Sequence, residues 1–344
     1  MSGDFHSIPV IDISGVYASN SKPRASFDTE IFEACCDVGF FLVVGQPEAA
    51  RLTQQRLKTF ATFFDLPERD KLALGRRQNN PESTNIYRGY FPPLPEERSF
   101  KEGIDFGPEL PSDSPRFKSG EMLLEPNVWP PEERLPGWRR GILDYLESMR
   151  ALGQDIMQSI ARSLNLTDDW FERSFDAGNN TLRLLKYPPP PKAPPQLLRV
   201  DVDQASCYAV AYPHSDSGCL TLLAQDDVGG LQVENGQGNW IDVPVIDGSH
   251  VVNIGDVLAR WTNDLFTATR HRVLSSGRIR YSMPFFFDPN MDALIKCIPG
   301  CEGEQGPQYP VFRYGDLLLE KLSGYTEFHT LFEDGTLSVP SIKC

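Results

Sequence analysis

Two histidines and one aspartate have the residue types and spacing of a metal centre. His214 and Asp216 fall in Tyr212-Pro-His-Ser-Asp-Ser-Gly218, and His271 falls in Ala268-Thr-Arg-His-Arg-Val273. Residues i and i+2 of an extended segment point to the same side. His214 and Asp216 can therefore grip one ion together, with His271 arriving from a distant strand. Two imidazoles and one carboxylate on one face of a metal leave the opposite face open, which suits non-haem Fe(II) that activates oxygen. Beyond His271 comes Arg280-Tyr-Ser282. Arg280 and Ser282 are again i and i+2, and a guanidinium fork beside a hydroxyl suits a carboxylate at the closed end of a pocket.

Such residues need strands to hold them, and the second half of the chain supplies the pattern. Short β-runs separated by turn residues cover Thr181–Tyr187, Cys207–Tyr212, Cys219–Gln225, Leu231–Glu234, Trp240–Val243, Val251–Ile254, His271–Leu274 and Ile279–Phe287. Eight short strands of this kind predict a two-sheet jelly roll, a double-stranded β-helix core in an α+β chain. The first half reads differently. Ile8-Pro-Val-Ile-Asp-Ile13 is a short strand, residues 27–37 are helical, Gly39 ends that helix, and Phe40–Val44 is a buried strand. Pro47 is expected to open a helix reaching Phe64. Residues 75–136, rich in Pro, Gly and charge, read mainly as ordered loops and a candidate lid over a pocket. A long amphipathic helix is expected over 137–163, with Ile142, Leu146, Met149, Leu152, Ile156 and Ile160 as its stripe. The expected organisation is one integrated unit: a helical and loop region at 1–175, the jelly-roll core at 176–300, and a C-terminal helix (about 315–322) and tail at 301–344. The proline run at 188–195 is punctuation after a strand.

Composition narrows the functional classes. Of 344 residues, 40% are hydrophobic and 11% aromatic, enough for a large core. A net charge of −14 argues against a nucleic-acid or anionic-membrane binder, since phosphate recognition needs clustered Lys and Arg. It leaves room for a small anionic ligand, which needs only one or two cations. Seven cysteines, odd in number and scattered, make no disulfide framework. No secretory signal and no membrane-spanning run are visible. The expected protein is cytoplasmic and acts on a small-molecule partner, and no feature sets its oligomeric state. His6, His250 and His329 lack any ligand context and are read as non-ligands.

The chain resembles the iron- and 2-oxoglutarate-dependent oxygenases of the isopenicillin N synthase-like superfamily over nearly its whole length. The resemblance is carried by Ile8-Pro-Val-Ile-Asp-Ile13, Gly39-Phe-Phe-Leu-Val-Val44, Pro213-His-Ser-Asp-Ser-Gly218, Val252-Asn-Ile-Gly-Asp256, Thr269-Arg-His-Arg-Val273, Arg280-Tyr-Ser-Met-Pro-Phe-Phe286 and Tyr314-Gly-Asp-Leu317. It implies Fe(II) at His214, Asp216 and His271, with 2-oxoglutarate and O2 as cosubstrates and Arg280 and Ser282 on the distal carboxylate. Tyr187 fits the Tyr of the family's Asn-x-Tyr element, although Leu185 stands where the Asn belongs. The implied chemistry is oxidation of a C–H bond of a small organic metabolite, of the kind used in secondary metabolism, by hydroxylation, desaturation or cyclisation, with release of succinate and CO2. Relatives that keep Arg-x-Ser without using 2-oxoglutarate make an oxidase of the same fold the alternative. A non-catalytic metal-binding sensor is the third reading, and the intact triad argues against it.

Candidates for the substrate pocket are Tyr87, Arg88 and Tyr90 in the first half, and Cys207 and Tyr212 on the strand feeding His214. Phe285 and Phe287 join them, since they continue the strand after Arg280 and are taken to alternate in register with it. Arg88 is read either as the partner of a substrate carboxylate or as part of a loop salt bridge.

Overall fold

A computed structural model of the chain describes residues 3–17, 24–93, 100–190, 198–202 and 205–340. β1 (Val10–Asp12) is followed by α1 (Arg24–Asp37), which ends at Gly39 with φ at +70°. Only glycine takes that backbone turn readily, and a Cβ there would overlap the Thr267 carbonyl. The chain passes straight into β2 (Phe40–Val44). The helix expected from Pro47 to Phe64 is broken. Glu48–Ala50 form a single 3-10 turn, and α2 (Gln54–Ala61) starts only after Thr53, whose side chain accepts from the Arg56 backbone N–H. A hydroxyl that satisfies an orphan helix donor is the stronger start signal. A further 3-10 stretch, Thr62–Asp65, follows.

The region read as loops holds two strands, β3 (Gly89–Phe91) and β4 (Glu102–Phe106). Their Gly and charged residues hide them, but pairing to a central strand decides the local conformation. α3 (Trp138–Ser163) matches its expected span and buries Ile142, Leu146, Met149, Leu152, Ile156 and Ile160. Full burial of each such side chain stabilises by about 1.5–3 kcal/mol.

The second-half strands of the two large sheets are β5 (Thr181–Tyr187), β6 (Leu198–Val202), β7 (Ala205–His214), β8 (Leu220–Gln225), β9 (Leu231–Glu234), β10 (Trp240–Asp242), β11 (His250–Ile254), β12 (His271–Leu274) and β13 (Arg280–Phe287), and a short hairpin pairs Leu294–Ile295 with Phe312–Arg313. Of these, β6 lies outside the expected set. Residues 191–195 of the proline run are outside the described residues. α4 (Tyr314–Ser323) comes near the end.

The two large sheets have orders β1-β2-β11-β8-β13-β5-β4-β3 and β10-β9-β12-β7-β6, the two faces of the jelly roll. The first half is thus more than a helical and loop cover, since it adds β1 and β2 to one edge of the larger sheet and β4 and β3 to the other. α1 and α3 bury the outer face of that sheet, where Val252, Met283, Phe285 and Phe287 meet Ile142, Met149 and Ile156. The inner cluster between the sheets includes Phe40, Leu185, Tyr187, Val210, Leu231, Val251 and Val273. Alternation along each strand sends one set of residues to the helices and the other to the space between the sheets.

Candidate active site

The space between the sheets is a cavity of about 720 Å³, and His214, Asp216 and His271 all line it. Antiparallel pairing places His271 directly opposite His214 on β12 and β7, with ring centroids 4.3 Å apart. Asp216 lies just past the end of β7. Its Oδ1 is 3.8 Å from His214 Nε2 and 3.7 Å from His271 Nε2. The three ligand atoms converge within 4.8 Å of one another.

Each of the three is aimed by its own partners. Thr221 Oγ1 donates to Asp216 Oδ2 at 2.6 Å, and Asn253 Nδ2 donates to the same oxygen at 2.8 Å, leaving Oδ1 for the metal. His214 Nδ1 lies 2.6 Å from the Tyr212 carbonyl, and His271 Nδ1 lies 3.3 Å from the Thr269 carbonyl. A carbonyl can only accept, so both Nδ1 atoms carry the proton and both Nε2 lone pairs face the site. The loop after β7 is pinned by Asp256 N donating to the Asp216 carbonyl and Val257 N to the Gly218 carbonyl. A Cβ at Gly255 would overlap that Gly218 carbonyl, which gives the Asn253-Ile-Gly-Asp256 motif its purpose.

Electrostatics suit a cation. His214 keeps 44% of its side-chain surface exposed, toward the cavity, yet protein walls surround the ring. Desolvation, reinforced by His271, pushes its pKa down to about 4 and keeps it a neutral ligand. Burial opposes ionisation of Asp216, but His271, His214 and the bonds from Thr221 and Asn253 outweigh it and hold the carboxyl below its ordinary value. A neutral imidazole pair with an ionised carboxylate is the donor set that Fe(II) takes.

Arg280 is nearly buried, pairs with Tyr187 across β13 and β5, and lies over the Tyr187 ring at 5.1 Å. Its Nε donates to the Gly229 carbonyl at 2.8 Å and its Nη2 to Gln225 Oε1 at 3.1 Å. Nη1 is buried without a hydrogen-bond partner among the described residues. An unpaired buried guanidinium nitrogen costs free energy unless an acceptor reaches it, and a carboxylate is the acceptor its geometry fits. Ser282 lines the same cavity, and Leu185 registers with it. An apolar side chain therefore stands beside Ser282, where the sequence resemblance leads to the expectation of an Asn.

Of the expected substrate residues, the structure brings Tyr87 and Tyr212 to the cavity. Five others lie elsewhere. Arg88 is fully buried and donates to the carbonyls of Phe106, Asn179 and Asn180 and to Thr181 Oγ1 and Asn179 Oδ1, which makes it a structural clamp. Tyr90 is buried and donates its hydroxyl to Glu102. Cys207 faces the Val200 carbonyl of the neighbouring strand. Phe285 and Phe287 point into the helix-side core. Odd and even residues of β13 face opposite ways, so Pro284 and Phe286 share the cavity face with Arg280 and Ser282. Sequence reading missed Lys101, Arg183 and Phe286, and missed the C-terminal Tyr314, Leu318, Tyr325, Glu327 and Phe328 that close one side. The parity rule recovers Phe286 and, from Tyr187, also Arg183. Nothing local flags the C-terminal group.

An open-faced centre of two histidines and one aspartate inside a jelly roll defines the class of mononuclear non-haem metal oxygenases. A family model described as the 2OG-Fe(II) oxygenase superfamily matches residues 179–289, and one described as the N-terminal region of non-haem dioxygenases in morphine synthesis matches residues 8–132. The chain belongs to the 2OG-Fe(II) oxygenase superfamily, and its cofactor and cosubstrate are Fe(II) and 2-oxoglutarate. It is 32% identical to a 2-oxoglutarate-Fe(II) type oxidoreductase of Emericella nidulans, over 90% of this chain and 88% of that one. It is 28% identical to isopenicillin N synthase of Amycolatopsis lactamdurans, over 90% and 94%. A full-length Neurospora crassa protein, solved with 2-oxoglutarate and thymine, superposes with a TM-score of 0.76 at 28% identity, covering 94% of this chain and 99% of that one. Among the described residues, no helix is long and apolar enough to cross a membrane.

Proposed function

We propose that His214, Asp216 and His271 hold Fe(II), that Arg280, Ser282 and Tyr187 hold the distal carboxylate of 2-oxoglutarate, and that the rest of the cavity takes a small organic molecule whose C–H bond is oxidised. The observation that carries this reading is the buried, unpartnered Nη1 of Arg280 in the cavity that holds the triad. Bound Fe(II) supplies the oxygen chemistry, in which 2-oxoglutarate loses CO2 to give succinate as the substrate is oxidised. The chain's own part is binding and orientation. Arg280 and Ser282 fix one end of the cosubstrate, and Thr221 and Asn253 keep the Asp216 carboxylate turned toward the ion. The cover formed by Tyr325 to Phe328 limits water, which favours oxidation of substrate over idle turnover. Thymine in the N. crassa complex supports a small-molecule substrate, and the net charge of −14 speaks against nucleic acid.

One assay tests this reading directly. Protein purified anaerobically with Fe(II) is given 2-oxoglutarate and O2, and succinate is measured with and without a metabolite library. The expected result is succinate, increased by the true substrate. Absence of succinate in a preparation shown to bind Fe(II) overturns the proposal.

A further inference from the structure

The cavity faces of β5 and β13 run past two separate polar stations. Tyr187 is level with Arg280, and Glu102 of β4 registers with Lys186, which brings Lys101 level with the same station. The cations suited to an anion are gathered there. Arg183 lies four residues along β5 from Tyr187, roughly 13 Å at strand rise. A five-carbon diacid fixed at Arg280 and at the triad does not extend that far, so Arg183 faces the part of the cavity left for substrate.

Arg183 is unusually well held. Its Nε and Nη2 donate to the two oxygens of Asp105, each at 2.7 Å. Asp105 is also bound by Arg76 at 2.6 Å, and Arg76 pairs with Glu327 at 3.3 Å. The guanidinium lies 5.3 Å from the Phe91 ring centre and 5.7 Å from that of Phe286. Arg183 lines the cavity, and because Asp105 takes its Nε and Nη2, Nη1 is the guanidinium nitrogen with no hydrogen bond among the described residues. The charges of Arg76, Arg183, Asp105 and Glu327 cancel. A carboxylate added to this group would bring an uncompensated charge beside buried Asp105, which desolvation penalises. An uncharged oxygen acceptor would take the fixed donor without that cost. Tyr87 and Phe328 supply flat walls nearby, with ring centres 6.0 Å apart.

We propose that Arg183 is a specificity-determining residue whose Nη1 binds an uncharged carbonyl oxygen on a ring-bearing substrate, with the ring set among Tyr87, Phe286 and Phe328. The inference rests on the oxygenase reading of the same cavity and names its substrate class. It is tested on the full chain, as the anaerobic complex with Fe(II) and 2-oxoglutarate, by calorimetric titration with 4-chromanone, chroman and chroman-4-carboxylate. Wild type should bind the ketone about tenfold or more tighter than chroman, the scale of one hydrogen bond from a charged donor. The carboxylate should bind no better than chroman. Arg183→Lys keeps a charge opposite Asp105 but loses the fork, and should shrink the ketone advantage to within about threefold. Phe286→Ala should weaken all three ligands while keeping their ratio. Equal binding of the three by wild type, a preference for the carboxylate, or an unchanged ratio in Arg183→Lys overturns the inference. So does an Arg183→Lys protein whose affinity falls for 2-oxoglutarate instead of for the ketone. Succinate release by wild type, with the metabolite library as well as without it, is scored separately. If it is absent the oxygenase reading fails; if it is present without a carbonyl preference, only this inference fails.

Discussion

The two ends of the cavity are built in different ways. At the Arg280 end, the polar groups sit on neighbouring strands of one sheet, and Arg280, Ser282 and Tyr187 are fixed by ladder register. At the Arg183 end, one strand residue meets Tyr87 from the first half, Phe286 from β13 and the Tyr325–Phe328 segment from the far end of the chain. The first end is a local strand pattern set by register. The second is assembled from parts distant in sequence, so a change there need not disturb the first. A scaffold divided in this way can alter one end while keeping the other.

The largest effect should come from removing the centre that both ends share. His214→Ala takes away one of three metal ligands, and succinate release should fall to background with any substrate. A variant that keeps its rate refutes the ligand assignment.

A pair of neighbouring substitutions separates scaffold from site. Phe285→Ala empties a position at 0% exposure beneath α3 and should cost about 3–5 kcal/mol in a urea melt. Phe286→Ala, one residue along and facing the cavity, should leave the melt within about 1 kcal/mol of wild type while weakening substrate. Equal stability losses would show that the two faces of β13 are not divided as the register indicates.

Arg280→Met tests the cosubstrate end. Losing one charged hydrogen bond, worth about 1.5–3 kcal/mol, should raise the 2-oxoglutarate concentration for half-maximal succinate release roughly tenfold to a hundredfold. An unchanged requirement would place the cosubstrate carboxylate elsewhere in the cavity.

These contrasts also explain what can be read from the chain alone. The triad and Arg280-Tyr-Ser282 are legible because a period of two places i and i+2 together whatever the rest of the fold does. Phe40–Val44, Leu231–Glu234 and α3 are legible for a like reason, being apolar runs or stripes bounded by turn residues. β3 and β4 are not, because Gly89, Gly103 and Asp105 lack strand character and are held by pairing that leads to β5. Arg88 misleads because an arginine beside aromatics suggests a ligand site, whereas here its five hydrogen bonds close a gap between backbone carbonyls. Phe285 and Phe287 are misplaced by a parity slip of one residue, which on a strand exchanges the two faces. The C-terminal wall carries no local signal, since only the tertiary fold brings Glu327 to Arg76.

Asn253→Ala probes the ring of partners around the triad. Without its bond to Asp216 Oδ2, the carboxylate loses part of its aim, and Fe(II) affinity should drop about 10- to 100-fold. Metal titration followed by succinate release measures it, and excess Fe(II) should restore most of the rate. A loss that excess metal does not recover would assign Asn253 a role beyond aiming the ligand.

The smallest effect concerns the other face of the same strand. His250 begins β11 but points away from the cavity, with Nδ1 3.0 Å from Gln46 Nε2 and Nε2 2.9 Å from the Tyr145 hydroxyl. The Gln46 Nε2 nitrogen can only donate, so Nδ1 accepts and the ring is neutral. Burial, with Arg56 adding to it, pushes its pKa down from 6.5 to about 3. Between those values the unfolded chain binds a proton that the folded chain refuses, so stability rises with pH across that window and is lost as pH falls from 6.5 toward 3. The slope from this one group is at most about 1.4 kcal/mol per pH unit. Urea midpoints at about pH 7 and pH 5, on either side of the ordinary histidine value, should differ less for His250→Gln than for wild type. An identical difference would show that the acid sensitivity lies in His214, which burial also holds neutral with its pKa down to about 4, instead of the face buried under α3.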